Sequence, residues 1–94
     1  IYLWNEANRA ERLVLAGLAA FLTDGDAWLS AAALTAQLEP HHSGLTPDQE
    51  RTALAALVRQ ELLERQDDRF RYRIDFLRHW IAEDHSLWQT LAEH

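Results

Sequence analysis

Residues 45–80 read LTPDQERTALAALVRQELLERQDDRFRYRIDFLRHW, and this stretch decides the fold. Thr46 is a natural N-cap, and Pro47 suits the first position of a helix, where its missing N–H leaves no bond unmade. Gln49 stands where a capping box needs a side chain that returns to the N-cap. The sequence therefore predicts a helix that begins at Pro47 and is capped by its own first residues.

A β-hairpin is predicted directly after this helix. Leu62 and Leu63 form an apolar pair, and Asp67-Asp68 supplies a polar turn. Residues 70–74 then alternate between apolar and basic side chains with the period of a strand. A helix followed directly by a hairpin with a polar tip is typical of a winged helix-turn-helix. The predicted fold class is mostly α with a small β-hairpin: a winged helix-turn-helix with extra C-terminal helices.

The flanking segments complete a predicted order of helix, short strand, helix, helix, hairpin, and one or two final helices. Apolar residues recur at helical spacing over residues 5–22, and residues 27–29 form a short apolar segment that suits a strand. Side-chain N-caps are expected at three helix starts: Ser30, Asp75, and either Asp84 or Ser86.

A chain of 94 residues makes one domain, residues 1–94, with a single hydrophobic core. The helical and strand periodicities indicate which residues form that core. The predicted members are Val14, Leu18, Phe21, Leu34, Leu54, Leu57, Leu63, Phe76 and Trp80, with Trp28 beside them.

Composition limits the function. Fifteen acidic residues against nine basic ones give a net charge of −6, the wrong sign for a domain that mainly holds DNA phosphates. The chain has no cysteine, which fits a reducing cytosol. No apolar run approaches the roughly 20 residues that span a membrane, so we expect a cytoplasmic protein. Because the chain starts at Ile1, lacks methionine and has arginine as its only basic residue besides histidine, we expect a fragment of a longer bacterial protein from a GC-rich genome.

The arginines of the hairpin are the candidate nucleic-acid site. Arg69, Arg71 and Arg73 fall on one face of a strand, where their guanidinium groups are placed to grip successive phosphates, and Arg59 ends the preceding helix. The alternative is that these arginines form ordinary ion pairs across the hairpin. The acidic residues available for such pairs are Glu61, Glu64, Asp67 and Asp68.

The two ends of the chain hold the candidate protein interface. Residues 1–4 are apolar, and a second apolar stripe follows the last helix that the fold requires. Either the two ends pack on each other, or each packs on a second copy or on a neighbouring domain. For the isolated chain we expect a homodimer. The candidate interface residues are Tyr2, Trp4, Trp88 and Leu91.

Nothing in the sequence predicts catalysis, a cofactor or a metal site. The serines lack a nucleophile elbow, and the glycines are too scattered to form a phosphate-binding loop. We therefore expect no enzymatic activity, no catalytic residue and no cofactor. The histidines lack the spacing of a helical zinc pair and are expected to be solvated. They are His41, His42, His79 and His85.

A longer pattern joins these features: an apolar helix, a Leu-Leu-Glu-Arg strand, a polar turn, an alternating aromatic and basic strand, and a helix that ends in tryptophan. Its residues are Leu57-Val58, Leu62-Leu63-Glu64-Arg65, Asp67-Asp68, Phe70-Arg71-Tyr72-Arg73 and Phe76-Leu77-Arg78-His79-Trp80. The pattern, with the first helix at residues 10–19, resembles the winged-helix domain after the ATPase core of signal-transduction (STAND) and AAA-type P-loop NTPases. One departure is Glu61, where that family often has glycine.

The resemblance implies a non-enzymatic regulatory module of a larger NTPase. Such a module would contact the upstream ATPase core or a partner protein, since the ATPase motifs are absent from this sequence. The alternative is a DNA-binding winged helix, either in a transcriptional regulator or in the DNA-touching part of an ATPase. The predicted solvent face of the helix after Thr46 favours the first hypothesis, because it is a poor surface for reading bases. It carries Asp48, Thr52, Ala55 and Arg59.

Overall fold

The structure, a computed structural model, describes residues 2–22, 24 and 27–92, and for residues 2 and 3 the backbone alone. Within these ranges the chain is mostly helical and has one small antiparallel sheet. The predicted order of elements after the first helix is confirmed. The elements are α1 (Tyr2–Glu6), α2 (Arg9–Phe21), β1 (Leu29–Ser30), α3 (Ala31–Leu38), a 3-10 turn (Glu39–His41), α4 (Pro47–Arg59), β2 (Leu63–Gln66), β3 (Arg69–Tyr72), α5 (Asp75–Asp84) and α6 (Leu87–Ala92).

The N-terminal segment forms two helices rather than the single one that its periodicity predicts. Asn8 caps α2: its side chain accepts from the Glu11 N–H at 2.8 Å, and the Glu11 carboxylate accepts from the Asn8 N–H at 2.9 Å. This reciprocal capping box breaks the helical run after α1, because an N-cap residue adopts an extended backbone.

The capped helix predicted to begin at Pro47 is confirmed as α4. The Thr46 hydroxyl accepts from the Gln49 N–H at 3.1 Å, and the Gln49 side chain accepts from the Thr46 N–H at 2.9 Å. Ser30 caps α3 as predicted, and the Ser86 hydroxyl accepts from the Gln89 N–H at the start of α6. These caps are confirmed because each depends only on residues a few positions apart.

The sheet has the strand order β1-β3-β2, so β3 lies in the centre. In the hairpin, Glu64 lies opposite Arg71 and Gln66 opposite Arg69. Asp67 at the turn has φ 57°, and Glu61 between α4 and β2 has φ 63°, both in the left-handed region that favours glycine. Glycine at position 61 would adopt this backbone conformation with less strain than glutamate does.

Helix α2 lies in the middle of the core and packs against α4, α5 and α6. Most predicted core residues are buried, and Phe21, Trp28 and Trp80 are partly buried at its edge. Phe76 is a correction, since 71% of it is exposed. The buried face of α5 is instead formed by Leu77, Arg78 and Ile81.

Two buried polar contacts hold the sheet and α5 onto α2. The Tyr72 hydroxyl donates to the Leu15 carbonyl, and burial raises the pKa of that phenol. Arg78 donates to the Leu22 carbonyl at 3.1 Å and pairs with Asp75 at 2.7 Å. The expected N-cap at Asp75 is wrong, because Ile74 occupies that position without a side-chain bond and the Asp75 carboxylate binds Arg78 instead.

Candidate interaction surfaces

The arginine-bearing face of the hairpin is partly neutralised within the domain. The Arg71 guanidinium forms an ion pair with Glu64 at 2.8 Å and lies over the Trp28 ring, 4.4 Å from its centroid. The two charges meet because their residues are directly opposite in the β2–β3 register. For Arg71 the cross-strand ion pair, considered above as the alternative to phosphate binding, is therefore present.

The other candidate arginines remain on the surface. Arg59, Arg69 and Arg73 are all exposed. Arg73 lines a cleft of about 550 Å³ between the end of α4 and the hairpin, together with Glu61 and Glu64. Arg65, which the sequence analysis did not single out as a site residue, lines the same cleft and donates to the Asp67 carbonyl at 2.6 Å. Positive and negative groups thus alternate here, and the surface is not a uniform phosphate-binding stripe.

The solvent face of α4 has the predicted composition. One acidic residue, a threonine, an alanine and an arginine are exposed along it, with Arg51 beside them. A face of this kind offers few of the side chains that read base edges. The exposed residues predicted for this face of α4 are Asp48, Thr52, Ala55 and Arg59.

Trp4 is not available as an interface residue, which corrects its predicted role. It is 4% exposed, its ring stacks on His85 at 4.3 Å, and the edge of Trp80 meets it at 6.5 Å. The Arg12 guanidinium donates to the Trp4 carbonyl at 2.9 Å and lies over its ring. The Tyr2 side chain lies outside the described part of the structure. Trp4 at the N-terminal end thus packs on Trp80 and His85 near the C-terminal end.

Trp88 has the opposite environment. It is 68% exposed, and its ring makes a T-shaped contact with the His41 ring, with the centroids 4.8 Å apart. Leu91 is partly buried against the core. Two further large apolar side chains stand in solvent, Ile74 at 60% and Phe76 at 71%.

Sequence analysis missed Ile74 and Phe76 as surface residues. The expected apolar stripe of Phe76, Leu77, Trp80 and Ile81 has a helical period, but the residues of α5 that are buried are Leu77, Arg78 and Ile81. Arg78 faces inward, where its guanidinium donates to the Leu22 carbonyl. A polar residue that faces the core carries no signal in an apolar periodicity.

The described residues contain no group of three or more His, Cys, Asp or Glu side chains placed to hold a metal ion. His79 pairs with Asp75 at 3.1 Å, and His41 packs near Phe21, with ring centroids 6.2 Å apart. His85 stacks on Trp4, so His41 and His85 are half-buried in ring contacts rather than solvated as expected.

A separate cavity of about 320 Å³ lies between the end of α3, the loop of residues 42–46 and the first turn of α4. Glu50 lines it and is 3% exposed, and its Oε2 is the one buried side-chain N or O atom of the described residues without a hydrogen-bond partner. Burial raises the pKa of the Glu50 carboxyl, and the nearby Thr35 hydroxyl opposes that shift. The Thr35 hydroxyl also donates to the Ala31 carbonyl at 3.0 Å. Because the hydroxyl has a single proton, it cannot donate to the Ala31 carbonyl and to the Glu50 carboxyl at the same time.

Sequence analysis missed Glu50 although a signal was present. Glu50 precedes Ala53, Leu54 and Leu57 by the helical intervals that place it on their buried stripe. A carboxylate on the apolar stripe of an amphipathic helix is the pattern that marks a buried acid.

Comparison of the chain with known protein families, curated proteins and solved structures finds no match to any of the three. Among the described residues, every helix is too short or too polar to cross a lipid bilayer.

Proposed function

We propose that this chain is a non-enzymatic winged-helix module of a larger NTPase and that it mediates regulatory contacts with the ATPase core or with a partner protein. The order of helices, the hairpin after α4 and the short first strand agree with that fold. The left-handed Glu61, where the resembling family often has glycine, agrees with it as well.

The observation that carries the proposal is the contrast between the apolar and the charged surface. Ile74, Phe76 and Trp88 stand in solvent, and exposed aromatic and aliphatic side chains of this size commonly contact other proteins. Ile74 and Phe76 belong to one turn, because the Leu77 N–H is bonded to the Ile74 carbonyl. Both side chains are thus exposed in the turn where the hairpin joins α5.

The experiment is hydroxyl-radical footprinting of the isolated chain and of its full-length parent, with and without nucleotide. Covered side chains react more slowly, so we expect Phe76 and Trp88 to be protected in the parent in at least one nucleotide state. Trp4 is the matched internal control, because it is already buried within the domain. If Phe76 and Trp88 are equally reactive in the isolated chain and in every state of the parent, the proposal is wrong.

The alternative function is DNA binding by the same fold. It is favoured by one observation: Arg59, Arg69 and Arg73 remain exposed near the hairpin. The net charge of −6 and the pairing of Arg71 with Glu64 weigh against it, since nonspecific DNA binding depends on unpaired positive charge. This alternative predicts tight duplex binding that is lost when the exposed arginines are removed.

A further inference from the structure

Glu50 occupies an unusual position for a carboxylate. It lies in the first turn of α4, is only 3% exposed, and faces the cavity formed by the α3–α4 connection. A buried carboxylate is normally paired or fully hydrogen-bonded, because removing an ion from water is costly. The free Oε2 therefore points to a donor or a cation as its complement.

The walls of the cavity restrict what that complement is. Leu38, Leu45 and Pro47 give an apolar lining, and Glu39 is a second acidic residue at its edge. His42 is the one lining side chain able to carry positive charge. A cavity of about 320 Å³ is at the lower end of the range for small-molecule sites. Its chemistry matches a ligand with a positive head and a short apolar stem.

The loop that closes the cavity is held in a defined conformation. His42 has φ 51° and Gly44 has φ 80°, so two left-handed residues shape the turn. The Ser43 hydroxyl accepts from the Leu45 N–H at 3.2 Å, and Arg9 of α2 donates to the Ser43 carbonyl at 2.6 Å. The cavity is thus tied to α2 as well as to α3 and α4, and this preorganised wall lowers the cost of binding.

We propose that this cavity binds a small organic cation, an alkylammonium or alkylguanidinium, with its charged head on the Glu50 carboxylate and its stem against Leu38 and Leu45. A metal ion fits less well, since hard cations need several oxygen ligands and the described residues supply no cluster of three. The same head-and-stem chemistry is presented by a free amine and by an arginine side chain of a peptide.

The test is a titration of the ¹³C,¹⁵N-labelled chain, followed by NMR, with n-butylguanidinium and with n-butylammonium at constant ionic strength. We expect saturable shifts at the amides of Thr35, Gly44 and Leu45, with a dissociation constant on the order of 1 mM. The Glu50 ¹³Cδ signal of the wild type is expected to move more than that of any other acidic side chain. The neutral control is n-butanol, which has the same stem and no charge and is expected to give no saturable shift.

Two variants separate the site from general charge effects. Glu50→Gln keeps the shape of the side chain and removes its charge, so affinity is expected to fall about tenfold or more. Asp48→Asn makes the same chemical change on an exposed part of α4 and is expected to leave affinity within about twofold. The wild-type ¹³Cδ readout decides the matter even if Glu50→Gln does not fold.

The source of the cation is distinguished by a second arm with the peptide Ac-Gly-Arg-Gly-NH₂. Equal or tighter binding of the peptide supports the cation site and indicates that a protein side chain fills it. Binding of n-butylguanidinium alone supports the site and indicates a free small molecule. Shifts spread evenly over all acidic residues, equal binding of n-butanol, or unchanged affinity in a folded Glu50→Gln variant would overturn the proposal. Those results would leave the proposed function of the module untouched.

Discussion

Trp4 and Trp88 lie near opposite ends of the chain and have similar apolar neighbours in sequence, yet their side chains differ in burial. Trp4 is enclosed by His85, Trp80 and Arg12, whereas Trp88 is 68% exposed. The difference shows that a terminal aromatic residue is structural only where other elements supply a pocket for it. Where they do not, the same side chain remains available for contacts with another protein.

The largest expected effect concerns the stability of the domain. Trp4→Ala removes an enclosed indole and is expected to lower the free energy of unfolding by about 3–5 kcal/mol. Trp88→Ala removes an exposed ring and is expected to cost less than about 1 kcal/mol. Urea unfolding of both variants measures the two free energies. Equal losses of unfolding free energy would contradict the difference in burial between the two tryptophans.

The second prediction concerns self-association of the isolated chain. If Trp88 and Phe76 are contact residues without their natural neighbour, the wild type is expected to form dimers at high concentration, because association covers apolar surface. The variant Phe76→Ser/Trp88→Ser is expected to remain monomeric. Analytical ultracentrifugation decides this, with Arg59→Ser/Arg69→Ser as a control for exposed residues of polar character. A wild type that stays monomeric at every concentration would contradict the homodimer.

The third prediction uses pH to test how α5 is held, since this helix carries both Trp80 in the Trp4 cluster and the exposed Phe76. The hydrogen bond from Arg78 lowers the pKa of the Asp75 carboxyl below its ordinary value of 3.8. A lowered pKa in the folded state gives stability that is fully present above the unfolded value and is lost as pH falls through the folded one. Wild type is therefore expected to exceed Asp75→Asn in stability at neutral pH, and the difference should close below pH 3.8.

Thermal unfolding of both proteins across that range is the measurement. A stability difference that stays constant down to the lowest pH would show that Asp75 acts through something other than its charge. A difference that grows with falling pH would contradict the direction of the shift.

The smallest effect is expected on the hairpin. A double-mutant cycle on Arg71 and Glu64 is expected to give a coupling free energy of about 0.2–1 kcal/mol, since both side chains are partly exposed. The matched control is Arg69 and Gln66, which are opposite in the same register but form no ion pair, so their coupling is expected to be close to zero. Equal coupling in the two cycles would remove the evidence that Arg71 is neutralised.

Sequence reasoning succeeded where structure is determined locally. The Thr46 capping box, the cap at Ser30 and the polar turn of the hairpin follow from neighbouring residues, and all are present. The break before α2 was predictable on the same grounds, because Asn8 and Glu11 form a capping box. The helical periodicity of the surrounding residues hid that signal.

The candidate surfaces were less predictable, because they depend on contacts between distant residues. Phe76 is exposed, whereas Arg78 faces inward and donates to the Leu22 carbonyl, a bond that the residues near Phe76 in the sequence do not predict. Arg71 is neutralised because the β2–β3 register brings Glu64 opposite to it, and the Trp28 ring lies against its guanidinium. The periodicity of apolar residues predicts which face of a helix or strand is buried, but it does not predict which charged side chains form ion pairs in the folded domain.

Titration with duplex DNA distinguishes the proposed protein contacts from DNA binding. Labelled random duplex is added to wild type and to Arg69→Ala/Arg73→Ala at physiological salt. We expect a dissociation constant of about 10⁻⁴ M or weaker for wild type, with little further loss in the variant. A sequence-selective dissociation constant below about 10⁻⁷ M that is abolished in the variant would contradict this expectation and establish DNA binding as the function.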